Sequence, residues 1–251
     1  MPKVDSLQVS LPRQTYKRAL IKLSGEALAG PLGFGLDPNV LAYIATEILA
    51  VHEAGTQIAV VVGGGNFFRG DAFSASGKID RTVADQMGML GTLMNALALQ
   101  SALERAGVPT RVQSAITVSK VAEDFIVRRA VRHMEKGRIV IFAAGTGNPY
   151  FTTDTAAVLR ALEIEADCLI KATKVDGVYD KDPKKYQDAV RYETLSFDDA
   201  IGKRLGVMDQ TAFTMCHEHK LPLIVLDFNK PGSLRRAVRG EAEGTLVGAQ
   251  Q

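Results

Sequence analysis

Four stretches of this chain place glycine, hydroxyl or charged residues directly after apolar runs, the position at which open α/β sheets bind ligands. The run 18–23 ends in Lys22, Leu23, Ser24, Gly25, Glu26 and Ala27, which sets an ammonium at a strand end beside a Gly/Ser turn. The run 57–62 leads into Gly63, Gly64, Gly65, Asn66, Phe67, Phe68, Arg69 and Gly70. Successive glycines let backbone N–H groups come close to a phosphate, and Arg69 adds a charge-assisted donor. Read as a dinucleotide fingerprint this stretch fails at Phe68, and read as a Walker loop it fails at Asp71-Ala72. An anion nest survives, with a hinge-like turn as its alternative. The run 138–144 opens into Gly145, Thr146, Gly147, Asn148, Pro149, Tyr150, Phe151, Thr152, Thr153 and Asp154, rich in backbone donors and hydroxyls. The run 167–172 opens into Thr173, Lys174, Val175, Asp176, Gly177, Val178, Tyr179, Asp180, Lys181 and Asp182. That composition suits a purine stacked on Tyr179 with a polar rim for ribose and phosphates, and an ordinary charged surface loop shares it.

The elements that must position these loops alternate strand with helix, and the strands are unbroken apolar runs, the habit of a parallel sheet covered on both faces. Asp37-Pro38 makes an N-cap and N1 pair for a helix reaching Gly55, along which His52 flanks the core. Residues 29–36, with Gly30, Pro31, Leu32, Gly33, Phe34 and Gly35, read as a flexible loop. Over 83–105 apolar residues point in nearly every direction, so the helix should be buried all round, its outer face against another subunit. Asp85 interrupts that series in the first turn, as a dipole partner or as a ligand contact. A strand follows at 110–113 and a helix at 122–136. Thr153 or Asp154 should cap a helix over 155–164. Helices are expected at 196–205, 209–220 and 233–239, and a strand at 223–227. His217 and His219 lie two apart on a helix, the wrong spacing to share a metal.

With 251 residues and 46% hydrophobic content, one α/β domain over 16–251 is expected, behind a loose leader at 1–15. Thirty basic against 28 acidic residues give a net charge of +2, too near balance to point to nucleic acid or a membrane surface. Cys168 and Cys216 fall in apolar elements without metal-like spacing, which reads as buried thiols in a cytoplasmic protein. Signal peptide and membrane span are both unsupported.

In combination, Lys22 to Glu26, the stretch 63–70, Thr146 to Asp154 and Lys171 to Tyr179 resemble the bacterial uridylate kinases, a branch of the amino acid kinase superfamily, over residues 16 to 248. The resemblance implies an αβα sandwich around a mainly parallel sheet, a homohexamer, and the reaction of UMP with ATP to give UDP and ADP. The acceptor would sit in the N-terminal part and ATP in the C-terminal part. Carried over by position, Lys22, Leu23, Ser24, Gly25, Glu26, Ala27, Gly65, Arg69, Thr173, Tyr179 and Asp182 match the family's ATP contacts. Gly64, Asp85 and Thr146, Gly147, Asn148, Pro149, Tyr150, Phe151, Thr152 and Thr153 match its UMP contacts. The family's activation by GTP and inhibition by UTP would involve Gly30 to Gly35, Arg111 and Arg138, while a basic effector position of some relatives is Gln100 here.

Phosphoryl transfer asks the protein for positioning and cationic stabilisation more than for covalent work. Lys22, Arg69 and glycine N–H groups supply these, and Asp154 is placed to orient Lys22 or a magnesium ion arriving with ATP. An ionised phosphate acceptor needs no general base. The competing readings are a carboxylate kinase of the same superfamily and a nucleotide-binding regulator or storage protein that has lost transfer.

Overall fold

The strand that carries Lys22 lies at the centre of the molecule. In the computed structural model, which describes residues 11, 13–68, 79–183, 185–203 and 205–248, nine strands form one sheet. They are β1 (Arg18–Leu23), β2 (Gln57–Val62), β3 (Thr110–Ser114), β4 (Glu123–Asp124), β5 (Ile139–Ala143), β6 (Cys168–Thr173), β7 (Thr194–Ser196), β8 (Leu223–Asp227) and β9 (Thr245–Gly248). Their order is β4-β3-β5-β2-β1-β6-β8-β9-β7, and every pairing is parallel except β8 with β9. The expected mainly parallel sheet is what the chain forms.

Helices α1 (Gly25–Ala29), α2 (Pro38–Glu53), α3 (Arg81–Arg105), α4 (Val127–Glu135), α5 (Thr153–Glu163), α6 (Phe197–Gly202), α7 (Gln210–Glu218) and α8 (Ser233–Val238) fill the crossovers. Side-chain alternation along the strands divides the core in two. Ile21, Leu23, Val60 and Ile170 pack with α2, α3 and α8 on one face. Leu20, Val61, Phe142 and Leu169 pack with α4, α5 and α7 on the other. Lys22 is two residues beyond Leu20, and Lys171 two beyond Leu169, so both lysines share the second face.

Several expected boundaries shift, each for a local reason. Residues 24–27 are not an open turn: Ser24 accepts from the Ala27 N–H and caps α1. Within the expected loop 29–36, Gly30–Leu32 closes a 3₁₀ turn. The helix expected over 122–136 gives up its first third, because Glu123–Asp124 pairs with Gln113 and Ser114 as an edge strand. The cap of α5 is Thr152, whose hydroxyl accepts from the Asp154 and Thr155 N–H groups, and this moves Thr153 and Asp154 into the first turn. Ser196 likewise ends β7 and caps α6. Because α3 starts at Arg81, Asp85 stands in its second turn.

Within the single chain α3 leaves uncovered the outer face expected to meet another subunit. Leu93, Ala96, Leu99 and Leu103 are buried, while Val83, Met87, Leu90 and Met94 form an exposed stripe at helical spacing. Of the leader, residues 1–10 and 12 lie outside the described residues. Leu11 packs into the core, and the Arg13 guanidinium donates to the Glu241, Glu243 and Glu193 carbonyls. Both cysteines are buried free thiols, and burial pushes Cys216 up to about 12.

Candidate active site

Parallel pairing sets Lys22 directly opposite Lys171 on the neighbouring strand. Two ammonium groups side by side on one face of a sheet demand a counter-charge, and the first turn of α5 delivers it. Asp154 reaches Lys22 Nζ through Oδ1 at 2.9 Å and Lys171 Nζ through Oδ2 at 2.8 Å, with all three side chains between 13% and 16% exposed. Lys171 also donates to the Val207 carbonyl at 2.7 Å. Burial pushes the Asp154 carboxyl up, but the two lysines outweigh it and the net shift is down. Burial lowers the Lys171 ammonium, and the attraction of Asp154 offsets only part of that. The site is thus a carboxylate clamped between two cations in a poorly solvated place, with a net positive charge suited to oxyanions.

A cavity of about 230 Å³ lies on one side of this triad, lined by Gly64, Gly65, Phe68, Arg81, Asp85, Thr146, Asn148, Phe151, Thr152 and Thr153. Gly64 has no room for a side chain, since a Cβ there would meet the Gly88 carbonyl oxygen of α3 at 2.4 Å. Asp85 accepts from Arg81 Nε at 2.9 Å and from the Tyr150 N–H at 2.8 Å, joining α3 to the loop after β5. In that loop Ala144 and Tyr150 take φ of 61° and 72°, values uncommon outside glycine. The Ala144 N–H is held by Thr92 Oγ1 of α3 at 2.7 Å. Gly147 and Pro149 shape the same loop, with Gly147 pressed against Ala115.

On the other side a cavity of about 490 Å³ is lined by Lys171, Thr173, Val175, Tyr179, Asp182, Lys203, Val207 and Val225, a volume suited to a nucleotide. Tyr179 is not free-standing: its hydroxyl donates to Asp176 Oδ1 at 2.6 Å. Not all expected ATP contacts face this space. Leu23, Ser24 and Ala27 line a different cavity of about 690 Å³ on the opposite face of the sheet, together with Gly30, Pro31, Tyr43 and Phe228. Gly25 is buried against the glycine turn, where a Cβ would lie 2.6 Å from Gly65 N, and Glu26 is exposed. Arg69 and Gly70 lie outside the described residues.

The expected effector residues fall in two places: Arg138 stands two residues before Val140, the residue paired with Arg111, whereas the 30–35 loop lies beside Asn66. Leu32 and Phe34 are exposed on the 30–35 loop. Arg111 lines a cavity of about 340 Å³ near β4, with Gln100, Lys120 and Glu123, and pairs with Glu104 at 3.6 Å. Arg138 contacts His133 Nδ1 at 3.0 Å.

Sequence reasoning missed Lys171 and Asp209. The signal for Lys171 was a repeat: Leu20-Ile21-Lys22 and Leu169-Ile170-Lys171 are the same tripeptide, and the sheet aligns them residue for residue. Asp209 caps α7 through the Ala212 N–H and also accepts from the Thr152 and Thr155 hydroxyls, tying the two cavities' walls together. Nothing in a lone Asp before a helix distinguishes that from an ordinary cap.

Among the described residues no group of three or more His, Cys, Asp or Glu side chains converges as a metal cage. Both oxygens of Asp154 face lysines, Oδ2 as a hydrogen-bond acceptor from Lys171 and Oδ1 as an ion pair with Lys22. The donor set therefore fits magnesium only as it travels with a polyphosphate, held by phosphate oxygens and water. No helix among the described residues is long and apolar enough to cross a membrane.

The amino acid kinase family pattern matches residues 17–227. The chain is 56% identical over 238 residues to a uridylate kinase of Dichelobacter nodosus, covering 95% of this chain and 98% of that one. It is 57% identical over 233 residues to a uridylate kinase of Xanthomonas oryzae pv. oryzae, covering 93% and 97%. Among solved structures, a UMP kinase from Bacillus anthracis superposes with a TM-score of 0.92 at 41% identity, covering 95% of this chain and 98% of its own.

Proposed function

The chain belongs to the amino acid kinase family, and from that premise we propose that it is a nucleoside monophosphate kinase moving the γ-phosphate of ATP to UMP, with ADP and UDP as products. The observation that carries this reading is the Lys22–Asp154–Lys171 clamp, which reaches the larger cavity through Lys171 and adjoins the smaller through Thr153. The smaller takes UMP, in the N-terminal part of the fold, with Asp85 for the ribose and the Thr146 to Thr153 loop for base and phosphate. The larger takes ATP, in the C-terminal part, with Thr173, Tyr179 and Asp182 along its wall.

In the transition state, charge spreads over the oxygens of the transferred group and over the oxygens it joins and leaves. Lys22 and Lys171 bear on that charge from one side. The N–H groups of Gly64 and Gly65 bear on it from the other, and a guanidinium such as that of Arg69 would add a charge-assisted donor. Asp154 fixes the direction of both ammonium groups before substrate arrives, so no reorganisation is needed at the moment of transfer. Magnesium brought by ATP would neutralise phosphate oxygens. The acceptor phosphate is already ionised, so its attack needs no general base.

Control by GTP as activator and UTP as inhibitor belongs to the same reading, through Gly30 to Gly35, Arg111 and Arg138, as do a hexameric assembly and a cytoplasmic location. The exposed stripe on α3 supports assembly. ADP formation measured with UMP, CMP, dUMP, acetylglutamate and no acceptor tests the whole. Strong preference for UMP is expected. Preference for acetylglutamate would favour a carboxylate kinase, and absence of turnover would favour a binding protein.

A further inference from the structure

Two asparagine side chains interrupt the apolar layer between α3 and the sheet. Asn95 is fully buried and Asn66 is 1% exposed. Their amides pair head to tail: Asn66 Nδ2 donates to Asn95 Oδ1 at 2.9 Å, and Asn95 Nδ2 donates to Asn66 Oδ1 at 2.7 Å. The second hydrogen of each Nδ2 goes to a backbone carbonyl, from Asn95 to Gly63 at 2.6 Å and from Asn66 to Gly35 at 2.7 Å. All four N–H donors of the pair are used.

Buried amides are costly unless fully matched, and an apolar pair of the same shape would fill this space without that demand. What the apolar pair would not do is hold a carbonyl in one direction. In a trans peptide the C=O and the following N–H point to opposite sides. Fixing the Gly63 carbonyl against α3 therefore fixes the Gly64 N–H on the side away from α3. Gly64 and Gly65 line the smaller cavity, and Gly63 to Gly65 have no side chains of their own to hold the turn. Three consecutive glycines are the most mobile backbone a loop has, so something outside the turn must supply its order. The clamp extends further, because the Gly35 N–H donates to the Asn66 carbonyl at 3.1 Å.

We infer that Asn66 and Asn95 are positioning residues for phosphoryl transfer, which hold the Gly63–Gly65 turn so that its N–H groups meet the transferred phosphate. This rests on the kinase reading above. The test compares Asn95→Leu, Asn66→Leu and the double leucine variant, by thermal melting and by kcat and KM for UMP and ATP on folded protein. Each single variant strands the partner's amide and should melt early. The double variant removes both amides, so its melting temperature should recover relative to the singles. Its kcat should not: a displaced turn costs on the order of a hundredfold. A double variant that recovers both stability and kcat, to within about twofold of the wild type, shows the pair to be core filling only and overturns the inference.

Should the leucine variants not fold, Asn95→Ala leaves space for water and is assayed well below its melting temperature. A fall of about tenfold or more in kcat supports the role, and a smaller one overturns it. A wild-type chain that forms no ADP with any acceptor overturns the kinase reading and this inference with it. An active wild type beside an equally active double variant overturns this inference alone.

Discussion

Changing Asp154 to Asn keeps the side chain's shape and removes only its charge, leaving Lys22 and Lys171 as two ammonium groups at 13% and 16% exposure with only the more distant charge of Asp209 acting on Lys171. Breaking a buried pair on one side costs about 3–5 kcal/mol. For a chain of this size each kcal/mol lowers Tm by about 2–4 °C, so the ligand-free variant should melt roughly 6–20 °C below the wild type. A polyphosphate supplies the missing negative charge, so saturating ATP should raise the variant's Tm by more than it raises the wild type's. Burial pushes the Asp154 carboxyl up but the lysines bring it down overall. Its stabilisation is therefore present above the unfolded carboxyl value of about 3.9 and is lost only as pH falls through the still lower folded value. The Tm gap between wild type and variant should hold at neutral pH and close at the acid end. Calorimetric melts with and without ATP, from neutral to acid pH, measure all of this. A gap under about 2 °C at neutral pH, or equal ATP shifts for the two proteins, would refute the clamp.

Lys171 carries a lowered ammonium value, so the alkaline limb of kcat should set in below the ordinary lysine range near ~10.4; a profile flat up to that range would count against its part in transfer. Asp85→Ala should lower kcat/KM for UMP by more than for dUMP, because a half-buried carboxylate that bound substrate covers disfavours one lacking its hydroxyl partner. An unchanged ratio between the two substrates removes Asp85 from ribose selection. Leu90→Glu, on the exposed stripe of α3, should dissociate the assembly in light scattering and raise KM for UMP before KM for ATP. A folded, dissociated variant with its UMP KM intact would separate assembly from the site.

The parallel core was legible because its strands are continuous apolar runs, and the loops after β1, β2, β5 and β6 stood out against them. What could not be read was what lies across a strand boundary. Lys171 looked like one more strand lysine until pairing set it beside Lys22. The short strands β4, β7 and β9 have two to four residues, too few to show a period of two, and they exist because a neighbouring edge needs partners. The cap of α5 slipped by one residue because Thr152, Thr153 and Asp154 can each accept from a helix N–H. That slip has chemical weight. With Thr152 as the cap, Asp154 points its carboxylate from the first turn into the space between the two lysines.

Helix α3 shows most plainly where one-dimensional reading stops. Its sequence has no polar face, so periodicity alone gives burial on every side, yet three distinct demands divide its circumference. Leu93, Ala96, Leu99 and Leu103 satisfy the core. Asp85, Gly91, Thr92 and Asn95 face the glycine turn and the loop after β5, where they hold Tyr150, admit Gly64, restrain Ala144 and fix Gly63. Val83, Met87, Leu90 and Met94 face outward. Small and polar residues on the second side look like dilution of an apolar helix when read in sequence, and they lower its amphipathic signal. In the fold they are the reason the glycine turn has a fixed shape, since a helix with leucines at Gly91 or Asn95 would either push the turn away or leave its carbonyls without donors.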